Sequence, residues 1–186
     1  MSNKPIIIAI SGATGAIYGI KLLDALKKLN QKTILVVSEM GFYTIKHELG
    51  LSPKEVISKA DEYIPNTDLG ASISSGSYIT SGMIVAPCSI KSLSGIANSY
   101  DDNLITRAAD VCLKERRKLV LMLRETPLHL GHIKLMEQIT LSGGIIMPPV
   151  PAFYNKPSSL DEMVEHTVYR CLDLFDIKND FAKRWN

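Results

Sequence analysis

Cysteine is scarce in this chain of 186 residues: Cys88, Cys112 and Cys171 are odd in number, widely spaced and form no CxxC pair. That pattern excludes a disulfide framework and predicts buried thiols in a reducing compartment. No apolar run approaches the roughly 20 residues of a membrane-spanning helix. The N-terminus also lacks a signal-peptide pattern, so the expected location is the cytoplasm. Charge of one sign is missing too, since 21 Lys and Arg against 19 Asp and Glu leave a net +2. Neither nucleic acid nor an anionic membrane is therefore expected as the main partner. There is no repeat, linker or shift in composition, and a chain of this length suits a single domain, here expected over residues 1–186, with its own core.

What is present is an alternation of short apolar runs with helical periodicity. Ile6–Ile10 is a strand apolar on both faces, and Ile17, Ile20, Leu23 and Leu26 then recur at helical spacing. Thr33–Val37 is a second strand, followed by a helix ending at Gly50. Ser52-Pro53-Lys54-Glu55 carries a capping box with proline at the first helical position. Further strands are predicted at 82–86, Lys118–Leu123 and 144–147. Asp101 and Asp102 are expected to cap a helix running through Cys112, and further helices are expected at 132–141 and 159–175. The Ser- and Gly-rich stretch 61–78 reads as a mobile excursion. The alternation predicts an α/β fold, a parallel sheet with helices on both faces and right-handed crossovers.

Ligands of such sheets bind beyond the carboxyl ends of the strands. The loop Gly12-Ala13-Thr14-Gly15 lies there, but it falls short of GxGxxG because Ile10 holds the place of the first glycine. The second strand ends at Ser38, with Glu39 one step on, where a dinucleotide site would carry an acid to grip the adenine ribose. NAD is thus disfavoured. A helix N-terminus still offers N–H groups to one phosphate, and the loop alone fits a plain tight turn equally well. Ser89 and Ser92, beyond another strand, favour a polyhydroxy ligand. Arg124 and Glu125 directly follow a buried strand; adjacent strand residues face opposite ways, which makes a mutual ion pair awkward and favours a functional role. His129 and His132 lack a third metal ligand at a recognisable spacing. No DDxxD follows Asp101-Asp102. Cys88 has no evident histidine partner and is expected to be a buried small hydrophobe. Arg116, Arg117 and Lys118 in "LKERRK" suit a solvated helix end.

The segments "ISGATGAIYG", "VVSE", "APCSIKSLSGIANSYDDNLITRAADVCLKERRKLVLMLRETPLHLGHI" and "GGIIMPPVPAFY" resemble the UbiX-type flavin prenyltransferases, a flavoprotein family formerly described as aromatic-acid decarboxylases. The resemblance spans roughly residues 5 to 185 in order. It implies a Rossmann-like, flavodecarboxylase-like fold that binds FMN between subunits of a large homo-oligomer, a dodecamer. It implies transfer of a dimethylallyl group from dimethylallyl phosphate to N5 and C6 of reduced FMN, without a metal. The prenylated FMN would serve a UbiD-type decarboxylase. By the same resemblance Gly12, Ala13, Thr14, Ser38, Ser89, Ile90, Lys91, Ser92 and Arg124 contact FMN, while Lys114, Arg124, Tyr154 and Arg170 hold the prenyl phosphate. Thr14, Glu48 and Glu125 are implied at the reacting centre and Trp185 at the prenyl pocket, and SGATG becomes a flavin and phosphate loop. Thr14 stands where serine is commoner, and the hydroxyl survives. Aromatic-acid decarboxylation, cysteine-type decarboxylation and a non-catalytic flavin carrier are the alternatives. "MPPVPAFY" lacks the PxMNxxM-like segment of the cysteine decarboxylases, and a carrier needs no second phosphate site.

Overall fold

A computed structural model describes residues 4–179. Six strands, β1 (Ile6–Ile10), β2 (Thr33–Val37), β3 (Glu62–Tyr63), β4 (Gly82–Cys88), β5 (Lys118–Leu123) and β6 (Ile145–Ile146), form one sheet. Seven helices connect and follow them: α1 (Ala16–Lys28), α2 (Glu39–Leu49), α3 (Pro53–Ile57), α4 (Ile90–Ala97), α5 (Leu104–Lys114), α6 (Leu130–Leu141) and α7 (Leu160–Asp173). Every strand pair is parallel, and the order is β3-β2-β1-β4-β5-β6. The chain reverses its direction of travel across the sheet between β1 and β4. Crossovers on either side of that point diverge and leave a crevice at the carboxyl ends of these two strands.

The unbroken apolar runs follow from burial on both faces. Ile6, Ile8 and Ile10 pack with Leu23 and Leu26 of α1, Ile45 of α2 and Leu172 of α7. Ile7 and Ala9, one residue out of phase, pack with Leu93 of α4, Ala108 of α5 and Ile139 of α6. Alternate residues of a strand point to opposite faces, so a two-sided core requires this near-continuous hydrophobicity. The expected α/β class and helix placement are those observed.

Three expectations are corrected. The stretch 61–78 is no loose excursion, because it contributes β3. The Asp61 carboxylate accepts from Thr33 N at 2.8 Å and the Ile64 N–H donates to Leu35 O at 3.0 Å. Ile64 and Ile73 are buried there. Asp101 and Asp102 do not cap α5; Asn103 does, its Oδ1 accepting from Thr106 N at 3.2 Å, while Asp101 pairs with Arg107. The strand expected at 82–86 runs on through Pro87 to Cys88, with its register against β5 shifting between Val85 and Cys88. The capping box at Ser52 and Glu55 and the stop at Gly50, left-handed at φ 70°, are as expected.

Candidate functional site

A cleft of about 1360 Å³ opens over the carboxyl ends of β1 and β4. Five successive strand ends line it: Ser11 to Thr14 after β1, Ser38 to Met40 after β2, Pro65 to Thr67 after β3, Ser89 to Ser92 at α4, and Arg124-Glu125 after β5. Of the sequence-predicted residues, Gly12, Ala13, Thr14, Ser38, Ser89, Ile90, Lys91, Ser92, Arg124 and Glu125 are brought together here.

The tips of the two central strands are joined by a residue that no sequence motif marks. Ser11 is buried; its hydroxyl donates to Pro87 O at 2.8 Å and accepts from Ser89 N at 2.8 Å. Arg124 N donates to Cys88 O at 3.0 Å and extends the same seam to β5. These bonds place the start of α4 against the crevice. There Ser89 caps the helix, accepting from Ser92 N at 3.2 Å, and the two serine hydroxyls lie 3.1 Å apart. Hydroxyls, open backbone N–H groups at a helix start and the nearby Lys91 ammonium all favour an anion.

At the glycine loop the start of α1 is capped from another element. Gly15 is left-handed at φ 92° and has no side chain to cap α1. Glu48, in the last turn of α2, supplies the cap instead: its carboxylate accepts from Gly15 N and Ala16 N, each at 3.0 Å. The anion position at α1 is thereby taken by a side chain of the protein itself. Gly12 serves close approach, because a Cβ there would collide with the Cβ of Met40. Ser38 is likewise the cap of α2, accepting from Gly41 N at 3.0 Å while it faces the cleft.

Arg124 and Glu125 both face the cleft, and among the described residues no ion pair joins them. Glu125 accepts from Thr126 N at 3.1 Å. Burial pushes the Cys88 thiol up to about 12, with a backbone hydrogen bond from Leu93 opposing it, which rules against a thiolate nucleophile at neutral pH. His129 caps α6 through Nδ1, accepting from Gly131 N at 3.0 Å. Among the described residues no group of three His, Cys, Asp or Glu side chains is placed to hold a metal.

Three residues assigned to the prenyl phosphate do not line the cleft of their own chain. Lys114 ends α5, at the opposite rim near the start of β5, and pairs with Glu115. Arg170 stands in the last turn of α7 and pairs with Asp173; the end of that helix reaches the same rim, where Lys118 pairs with Asp176 at 3.0 Å. Tyr154 lies in the segment before α7, with its hydroxyl 3.0 Å from His166 Nε2. Trp185 lies outside the described residues. The sequence reading also missed Tyr63, Asn66 and Thr67 as cleft residues. Asn66 accepts from Leu104 N at 2.8 Å and Ile105 N at 3.0 Å, which holds the start of α5 beside the cleft.

Comparison with known proteins agrees with this geometry. The Flavoprotein family model matches residues 1–155. The flavin prenyltransferase UbiX of Escherichia coli K12 is 54% identical over 185 residues, which cover 98% of each chain. A crystal structure of AnUbiX (PadA1) in complex with FMN and dimethylallyl pyrophosphate superimposes with a TM-score of 0.98 at 47% identity, covering 100% of this chain and 98% of that one. A dodecameric FMN-dependent UbiX-like decarboxylase from Escherichia coli O157:H7 gives a TM-score of 0.95 at 46% identity over 98% and 99% of the two chains. The chain belongs to the UbiX family of flavin prenyltransferases.

Proposed function

We propose that this protein binds FMN in the cleft over β1 and β4 and joins a dimethylallyl group from dimethylallyl phosphate to N5 and C6 of the reduced flavin. The observation that carries this reading is the cleft itself, a crevice of about 1360 Å³ whose polar wall ends at the capped start of α4. It suits an elongated ligand with a hydroxylated chain and a single phosphate. The phosphate goes to Ser89, Ser92 and Lys91 at α4, since Glu48 already occupies the start of α1. Ser38, a helix cap rather than an acid, stands directly at the end of β2, which favours FMN over a dinucleotide.

Reduced flavin supplies the nucleophile, and the allylic phosphate ionises readily because its cation is delocalised. The protein has to neutralise the departing phosphate and keep water out. Arg124 enters the cleft from the tip of β5, and guanidinium–phosphate hydrogen bonds are about twice as strong as neutral ones. Lys114, Tyr154 and Arg170 complete the cation and donor set from neighbouring copies, because in one chain Lys114 and Arg170 sit at the far rim. An exposed apolar surface supports such assembly: Leu130, Ile133 and Leu141 on α6 and Val150, Phe153 and Leu160 before and at the start of α7 are at least half exposed. Glu125 and Thr14 face the same cleft and serve to move a proton at the reacting centre. Fixed cations in a site closed by the assembly make a metal dispensable. The prenylated FMN is then handed to a UbiD-type decarboxylase.

The test is anaerobic incubation with reduced FMN and dimethylallyl phosphate, followed by mass spectrometry of the released flavin. One added prenyl unit is expected; unmodified flavin with intact phosphate ester would overturn the reading.

A further inference from the structure

The segment 148–159 contains no helix or strand, yet one of its side chains is held by a buried partner. Tyr154 Oη lies 3.0 Å from Nε2 of His166, and the two rings meet edge to face, 5.6 Å apart at 82°. His166 is only 8% exposed and opens the buried run of α7 that continues through Thr167, Val168 and Tyr169. The imidazole is therefore a fixed point, while the tyrosine side chain reaches out from an irregular loop and is about half exposed.

The direction of this hydrogen bond has chemical consequences. A phenol oxygen both donates and accepts. If Nε2 carries a proton and donates, the phenol accepts from the ring and its O–H can donate to an anionic oxygen. If Nε2 is bare, the O–H is directed at the ring and is lost to the anion. Only the first arrangement is compatible with Tyr154 as a phosphate donor. We propose that His166 is a positioning residue for prenyl transfer: its Nε2–H holds the Tyr154 oxygen and turns the phenolic O–H toward the phosphate of dimethylallyl phosphate. This rests on the reading of Tyr154 as a phosphate ligand.

The test uses the assembled protein loaded with oxidised FMN, which does not turn over, and measures the Kd for dimethylallyl phosphate by calorimetry. Steady-state KM and kcat with reduced FMN are measured alongside. Tyr154→Phe is expected to weaken binding roughly tenfold or more, as for a lost hydrogen bond to a charged group. His166→Leu is expected to weaken it about fivefold or more with FMN affinity unchanged, and to raise KM more than it lowers kcat. His166→Gln, whose amide N–H can still donate to the phenol, is expected to restore affinity to within about twofold. In the Tyr154→Phe background, His166→Leu is expected to add less than about a twofold effect. His166→Phe supplies the same comparison should leucine disturb assembly. Tyr154→Phe without effect would overturn both this proposal and the phosphate role of Tyr154. A weakened Tyr154→Phe beside an unchanged His166→Leu, or equal His166→Leu effects in both backgrounds, would overturn the proposal alone.

Discussion

The carboxylate of Glu48 bridges the backbone N–H groups of Gly15 and Ala16 at 3.0 Å, so that α2 caps α1 across 33 residues of sequence. A carboxylate at a helix start satisfies two donors that would otherwise lack partners, and it complements the helix dipole. With those donors occupied, the proposed seat of the FMN phosphate is the start of α4 rather than the glycine loop.

If that is the main work of Glu48, Glu48→Ala should lower stability by about 0.5–1 kcal/mol, at the modest end for a cap because the side chain is exposed. Chemical denaturation checks this, with FMN affinity expected within about twofold of the wild type. A collapse of FMN binding with stability unchanged would return the phosphate to the glycine loop.

Ser89→Gly should separate cap from ligand. Glycine is nearly as good an N-cap as serine, so stability should change by only a few tenths of a kcal/mol. The hydroxyl proposed to reach the FMN phosphate is lost, and the Kd for FMN should rise roughly tenfold. Fluorescence titration of the flavin measures it, and an unchanged Kd would remove Ser89 from the phosphate site.

The three thiols give a pH signature. Burial pushes Cys88, Cys112 and Cys171 each up to about 12 from an ordinary value of 9.0. An acid whose pKa is raised in the folded state favours folding below its unfolded pKa and loses that contribution as pH climbs. Stability should therefore fall between about pH 9 and 12, and substitution of all three by alanine or valine should flatten that fall. At neutral pH an aromatic disulfide reagent should label no thiol of the folded protein and three after denaturation. Rapid labelling of the native form would show a thiol in the wrong environment.

Much of this site was legible in the chain because it sits where topology puts it. Strand ends at Gly12, Ser38, Ser89 and Arg124 could be placed by apolar runs alone, and a parallel sheet gathers such ends on one rim. What could not be read is whatever depends on partners distant in sequence. Ser11 looks like any turn residue until Pro87 and Ser89 meet its hydroxyl. Glu48 shows no periodicity that links it to Gly15. Tyr63 and Asn66 lie in a Ser- and Gly-rich stretch whose two-residue strand is too short to leave an alternating pattern. Lys114 and Arg170 were identified by family resemblance, and their place at the far rim of their own chain is a fact of three-dimensional packing.

That far rim yields a prediction about assembly. Arg124→Ala and Arg170→Ala homo-oligomers should each require much more dimethylallyl phosphate than the wild type. Oligomers reassembled from a mixture of the two should recover part of the wild-type activity, because a shared site can then draw an intact Arg124 and an intact Arg170 from different copies. Activity in the mixture equal to the mean of the two parents would place both arginines in one chain's site.

Prenyl transfer in the cleft is proposed to run on fixed cations. It is tested most directly by the mass of the flavin recovered after anaerobic incubation of the wild-type protein with reduced FMN, dimethylallyl phosphate and EDTA, with an Arg124→Ala sample run in parallel. FMN carrying one added prenyl unit is expected in the wild type despite the chelator, with little or none in Arg124→Ala at the same substrate concentration. Unmodified FMN in the wild type, or prenylated FMN only after magnesium is restored, would contradict that proposal.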